Sequence, residues 1–236
     1  MAHPPADDRD PAHDQDPADA YLVLASAAAK WGLVAGRVGR EARDRLAALL
    51  GLVRDRGRDE GIRRDAAREA AELLRERVPE EFGADAGARA VGTLDAGAQV
   101  TVQGFAVEDL AVLLIDGHRM VGPVLGPVRD RLLAEPALDA EDLLQHGGAP
   151  FAPDLIRLRG EGGRVRLPRF QFSEDTLPWP VVLEVNALLS ADRDPWGAAD
   201  WWLSANAWLG TSPASLLGTG RDHQLADTAR FLMESE

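Results

Sequence analysis

The sequence has no cysteine. That removes a disulfide framework, a thiolate metal site and a cysteine nucleophile, and it fits a reducing compartment. Lysine is almost missing as well: Lys30 is the only one, so nearly all positive charge is arginine, as a high-GC genome would produce. Basic residues number 26 against 39 acidic, for a net charge of −13. An acidic surface repels phosphates, which weighs against nucleic-acid binding by the chain as a whole. A basic partner, or a local basic patch, remains compatible. Catalytic signatures are missing too. The five histidines are scattered, His3 and His13 near the N-terminus, and none has metal-ligand spacing. Neither Gly-x-Ser-x-Gly nor a phosphate-cradling Gly-x4-Gly-Lys is present. Acidic pairs such as Glu80-Glu81, Glu141-Asp142 and Glu174-Asp175 look like surface residues, and acid–base catalysis needs buried ones. The expectation is a non-enzymatic protein with no cofactor and no metal. The N-terminus lacks a cationic segment followed by an apolar core, so no signal peptide is expected and the location is expected to be cytoplasmic.

What is present points to a mainly α protein. Hydrophobic residues make up 45% of 236, enough for one large or two small domains. Residues 1–19, rich in Asp, Pro, Ala and His, read as a disordered acidic tail. Residues 20–36 are apolar enough to raise a membrane span. The run is Ala-rich, broken by Lys30 and followed by arginines, so a buried or self-associating helix is the better reading. From Tyr21 to Val53, steps of three and four through Leu24, Ala28, Trp31, Ala35, Val38, Ala42, Leu46, Leu49 and Val53 mark one continuous helical stripe. Gly32, Gly36 and Gly39 each cost about 1 kcal/mol there, and would let another helix approach closely. After a break at Arg54–Gly61, a second helix carries Ile62, Ala66, Ala70, Leu73 and Leu74 on one face and mixed charge on the other. The two helices give a hairpin or, across chains, a four-helix dimer. The stripe runs about nine turns, more than one ordinary partner helix covers, so residues 20–78 are expected to form a homo-oligomer through 21–53. Residues 79–104 read as a linker with a short strand at Gln99–Gln103.

Residues 105–169 read as a helix-turn-helix-like unit followed by a β-hairpin. Glu108 to Leu114, a turn at Asp116-Gly117, then Val121 and Leu125 have helix-turn-helix spacing. Ala111 would lie at the helix crossing, and His118 and Arg119 at the start of the second helix. Pro123 and Pro127 interrupt that second helix, and an internal proline costs about 3 kcal/mol. GPVLGPV therefore reads as a turn or kinked connection. A DNA-reading unit, a degenerate remnant and an unrelated helical pair all stay open, the remnant being favoured. The hairpin is clearer: Leu155, Arg157 and Arg159 alternate, as do Val165 and Leu167, around the turn Gly160–Gly163. Its Arg157, Arg159, Arg164, Arg166 and Arg169 form either a wing touching phosphates or a set of pairs with acidic neighbours in the same chain. Any DNA binding through it should be weak and salt-sensitive.

The last segment, 170–236, holds five of the six tryptophans: Trp179, Trp196, Trp201, Trp202 and Trp208. Asp194-Pro195 and Ser212-Pro213 each place an N-cap oxygen before a proline suited to a first helical turn. At 100° per residue Trp196, Ala199 and Leu203 share a face, with Trp202 at its edge and Trp201 about 140° away. Trp196 is thus expected in the core and Trp201 outward.

The order Pro168-Arg169-Phe170-Gln171-Phe172, Trp196 to Leu203, Asn206 with Leu209-Gly210, then Pro213, Leu216-Leu217 and Gly220 resembles the toxin-binding domain of the Xre/MbcA/ParS antitoxin family. The chain departs from the family where Asn206 is flanked by alanines and where Thr211 follows Gly210. The resemblance covers roughly the last third of the chain and implies a small helical domain that grips a toxin, in RES–Xre modules an NAD-consuming one. It places partner contact at Trp201, Asn206, Trp208, Leu209 and Leu216. Two functions follow: an antitoxin-like binding protein that neutralises or organises such a partner, with weak DNA-binding autoregulation, or a self-assembling scaffold whose C-terminal domain recruits cargo.

Overall fold

The computed structural model describes residues 17–83, 92–94, 100–145, 147–174 and 177–234. It is mainly helical with two small antiparallel sheets. The chain divides into two compact units, one ending at Ile115 and the other starting at Asp116. This division lies beyond the expected 79–104 joint, so residues 100–115 belong with the N-terminal helices. Most of the expected acidic tail, residues 1–16, lies outside the described residues. Its last residues, Pro17 to Asp19, already belong to the first helix, where Asp19 accepts an ion pair from Arg75 at 2.6 Å.

The N-terminal unit contains α1 (Pro17–Val38), α2 (Arg40–Arg54), α3 (Glu60–Arg77) and the single turn α4 (Pro79–Phe82). Next come β1 (Gly92–Leu94), β2 (Val100–Val102), β3 (Phe105–Ala106) and α5 (Val107–Ala111), which runs into a π-turn over Val112–Asp116. The strands pair in the order β1-β2-β3. Of the nine stripe residues, Leu24, Ala28, Val38, Ala42, Leu46, Leu49 and Val53 are buried, and Trp31 packs at the rim. The stripe is not one helix, however. Gly39 interrupts it with φ 76° and ψ 163°, a conformation essentially confined to glycine. α1 and α2 then both pack on α3. The face of α3 that receives them is Ala66, Ala67, Ala70 and Ala71, small enough for close helix approach. Ile62, assigned to that face, is instead largely exposed.

The stripe expected to need a second chain is therefore folded at Gly39 and covered by α3, α5 and the β2–β3 hairpin. Gly32 and Gly36, expected to admit a neighbouring helix, have open space where a Cβ would stand. By length and composition α1 is apolar enough to cross a membrane. Its Leu24, Ala25, Ala27, Ala28, Val34 and Val38 are buried inside the unit. Ion pairs at the edges join the elements: Lys30 to Glu81 at 3.0 Å and Arg54 Nε to Glu108 at 2.8 Å. The hydrogen bond from Lys30 holds the Glu81 carboxyl below the usual carboxylate range.

The C-terminal unit begins with α6 (Gly122–Ala134), β4 (Ala137–Asp139) and α7 (Ala140–Gln145). It continues through β5 (Leu158–Arg159), β6 (Val165–Pro168), α8 (Pro180–Leu188), α9 (Pro195–Leu203) and α10 (Asp222–Glu234), with 3-10 turns at Arg169–Gln171 and Pro213–Leu216. The basic hairpin exists, with Leu158 opposite Arg166 and Arg159 opposite Val165. It is part of a larger sheet: β4 pairs with the other edge of β6, giving the order β4-β6-β5. The tip of the hairpin is held by Asp116 Oδ1, which accepts from Gly162 N–H at 2.9 Å.

The helix-turn-helix expectation fails at its centre. Leu110 and Ala111 of α5 belong to the core of the N-terminal unit, while Leu132 of α6 belongs to the core of the C-terminal one. A helix-turn-helix needs both helices in one core. His118 and Arg119 precede α6, which starts at Gly122. GPVLGPV is helical: Pro123 occupies the first turn, where its missing N–H has no partner to lose. Pro127 then removes only the bond to the Pro123 carbonyl, on an exposed residue that water reaches.

Candidate partner-binding site

The FQF segment works as a structural connector. Phe170 packs against the Trp202 ring at 5.4 Å, and Phe172 enters a smaller core with Leu143, Leu155 and Leu167. Gln171, between them, is fully buried and behaves like a piece of backbone. Its Oε1 accepts from Ile156 N–H at 2.7 Å, and its Nε2 donates to Ile156 O at 3.0 Å and Pro168 O at 3.3 Å. The network goes on through Asn186, also fully buried. Asn186 Nδ2 donates to Asp154 O at 2.8 Å and to Gln171 Oε1 at 3.2 Å, while its Oδ1 accepts from Trp202 Nε1 at 2.8 Å. Every polar atom here has a partner, the condition under which a buried polar group is tolerated. The segment 154–156, the FQF turn, α8 and α9 are thereby fastened at one point.

Trp202, not Trp196, is the core tryptophan. The buried face of α9 is Ala198, Ala199 and Trp202, so the expected helical wheel was centred too far round. Trp196 sits half-buried with its ring 5.1 Å from His118. Trp201 is half-buried rather than outward and meets Trp202 edge-on at 5.1 Å. Its Nε1 is buried and has no hydrogen-bond partner among the described residues. α9 starts as expected, with the Asp194 carboxylate accepting from Gly197 N–H at 2.9 Å. At Pro213 the helix is only a 3-10 turn, and the Ser212 side chain makes no cap.

Between α9 and that turn, Asn206 builds a tight loop. Its Oδ1 accepts from Trp208 N–H at 3.0 Å and Leu209 N–H at 3.2 Å, and its carbonyl accepts from Gly210 N–H at 2.8 Å. Asn206 and Thr211 close the loop as an isolated β-bridge, with Gly210 at φ 73°. Asn206 therefore shapes the loop. Leu209 and Leu216, also assigned to partner contact, are largely buried in the core of the unit. Trp208 is different: it is 65% exposed and packs edge-on against Phe231 of α10, centroids 5.6 Å apart. Phe231, itself 56% exposed, carries no motif, and its sequence signal is only an aromatic in an amphipathic helix that buries Leu225, Ala226 and Ala229.

The arginines of the hairpin divide into two groups. Arg157 donates to Ala152 O, Arg166 to Leu133 O, and Arg169 to Phe172 O at 2.6 Å and Ser173 O at 3.0 Å. These three serve the unit's own backbone and pair with carbonyls, not with the acidic neighbours that one of the two readings gave them. Arg159 and Arg164 are exposed and have no ion pair among the described residues. The geometry thus leaves two arginines, not five, for an anionic ligand.

No family model, no curated protein and no solved structure matches this chain. The likeness to the Xre/MbcA/ParS toxin-binding domain rests on the quoted residues alone.

Proposed function

We propose that this chain acts by binding a partner protein through its C-terminal unit, as an antitoxin-like protein that neutralises or organises a RES-type NAD-consuming toxin. One observation carries the reading: Trp208, on a loop held in shape by three hydrogen bonds from backbone N–H groups to Asn206, forms an exposed aromatic pair with Phe231 of α10. Exposed tryptophans on a fixed support are the residue type that dominates binding energy at interfaces. The most deeply buried polar side chains of the unit, Gln171 and Asn186, are occupied in structural hydrogen bonds, which supports binding over catalysis. DNA contact, if it accompanies this role, falls to Arg159 and Arg164 and is weak at physiological salt.

The test is co-expression with a RES-type protein encoded beside the gene, followed by isolation of the complex and measurement of NAD consumption. The wild-type chain should form a complex and suppress consumption, and Trp208→Ala should release it by about 2 kcal/mol or more of affinity. A complex unaffected by Trp208→Ala, or no complex at all, refutes the reading.

A further inference from the structure

Phe231, one member of the aromatic pair, has carboxylates beside it on α10. Along α10, Asp227 lies four residues before Phe231 and Glu234 three after, so all three share one face at helical spacing. All three are exposed. Asp227 shares one carboxylate oxygen with Arg230 at 2.9 Å and keeps its side chain 70% exposed, while Glu234 has no ion pair among the described residues. An indole mostly in solvent attracts a cation over its ring face, and adjacent carboxylates give that cation its counter-charge. The chain as a whole, at −13, repels an acidic partner and draws in a basic one.

The geometry points to an arginine of the partner as the occupant: its guanidinium stacks on Trp208 while its N–H groups face Asp227 and Glu234. Arginine suits this place better than lysine because its planar, weakly hydrated head stacks on an aromatic and donates in a fork to carboxylates. This rests on the reading of the C-terminal unit as a partner-binding surface and adds the chemistry of what it grips.

The probe is the capped peptide acetyl-Ala-Leu-Arg-Leu-Ala-amide, with a counterpart carrying neutral citrulline in place of arginine. Both are titrated into the full chain while the tryptophan indole N–H signals are followed by NMR, Trp208 being assigned by its loss in Trp208→Phe. The arginine peptide should move the Trp208 signal saturably and leave that of Trp202, bonded to Asn186, unmoved. The shift at fixed peptide should fall by about threefold or more with citrulline, and again in Asp227→Asn/Glu234→Gln. If the double variant disturbs the Trp202 signal, Glu234→Gln alone replaces it. Equal shifts from both peptides, a shift that survives neutralisation, or no shift at all overturns the inference. Should Trp208→Ala still release the NAD-consuming partner in any of these cases, the binding function stands and only the arginine assignment falls.

Discussion

In the N-terminal unit the large side chains with no exposed surface are leucines: Leu24, Leu46, Leu50, Leu74 and Leu110. The C-terminal unit buries aliphatic side chains as well, Leu132, Leu155, Leu158 and Leu225 among them, and adds a tryptophan bonded to an asparagine, which is bonded to a glutamine that grips a distant loop. Aliphatic packing is non-directional and nearly proportional to area, so volume and spacing specify the first core. The second core depends in addition on atom identity at Gln171, Asn186 and Trp202, because a buried donor or acceptor left without a partner costs about 1–3 kcal/mol. One unit is specified by its pattern and the other by its residues, and the two should respond differently to the same kind of substitution.

The largest expected effect is that of Trp202→Ala. Losing a fully buried tryptophan should cost about 3–5 kcal/mol, and the vacated Asn186 Oδ1 adds to it. Denaturant unfolding followed by tryptophan fluorescence reads this directly, since Trp31 is the only tryptophan outside the C-terminal unit. A loss under 1 kcal/mol would mean that the network does not hold the unit together.

A pair of size-conserving substitutions sharpens the contrast. Gln171→Leu strands the Ile156 N–H and removes an acceptor from Asn186, and should cost about 2–4 kcal/mol. Leu46→Met, equally buried in the N-terminal unit, should cost less than about 1.5 kcal/mol. Equal losses in chemical denaturation would erase the distinction between the two cores.

The same distinction explains what could be read in advance. The mainly α class and seven of the nine stripe positions followed from three-four spacing, because an aliphatic core is periodicity made solid. The break at Gly39 did not, since glycine also occurs inside helices and only the fold determines which one bends the chain. α6 was misread because Pro127 weighs against a helix locally, yet near a helix start it removes a single bond. β4, three residues long and bonded to a strand distant in sequence, has almost no local signal. In the C-terminal unit the order of elements was legible, but the roles of the tryptophans were not. Helical spacing fixes their relative angles, while the choice between Trp196 and Trp202 as core residue depends on Asn186, in a different helix. Of the suggested contact residues only Trp208 stands well clear of the core, because apolar residues beside a tight loop serve core and surface alike.

Two glycines of the N-terminal unit separate backbone strain from packing. Neither Gly36 nor Gly39 has anything near a would-be Cβ, so sterics against neighbours are equal. Gly39→Ala must hold φ near 76° and should destabilise by about 1–3 kcal/mol. Gly36→Ala, inside α1, should stabilise by about 0.5–1 kcal/mol. Thermal melts of the two variants should therefore move in opposite directions. A shared direction would show that the chain does not turn at Gly39.

The smallest expected effect on stability belongs to the residue with the largest proposed effect on function. Trp208 is mostly in solvent, and its edge-on pair with Phe231 is of a kind worth about 0.5–1.5 kcal/mol when buried and less here. The loop keeps its shape without the indole, because Asn206 bonds to the Trp208 backbone N–H and not to its side chain. Trp208→Ala should therefore lower stability by less than about 1 kcal/mol. Trp202, only six positions away in the sequence, should show the reverse, with the fold lost and partner binding lost only as a consequence. If truncating Trp208 destabilised the C-terminal unit as much as truncating Trp202, the exposed pair would be part of the scaffold. The surface proposed for the partner would then lose its one rigid anchor.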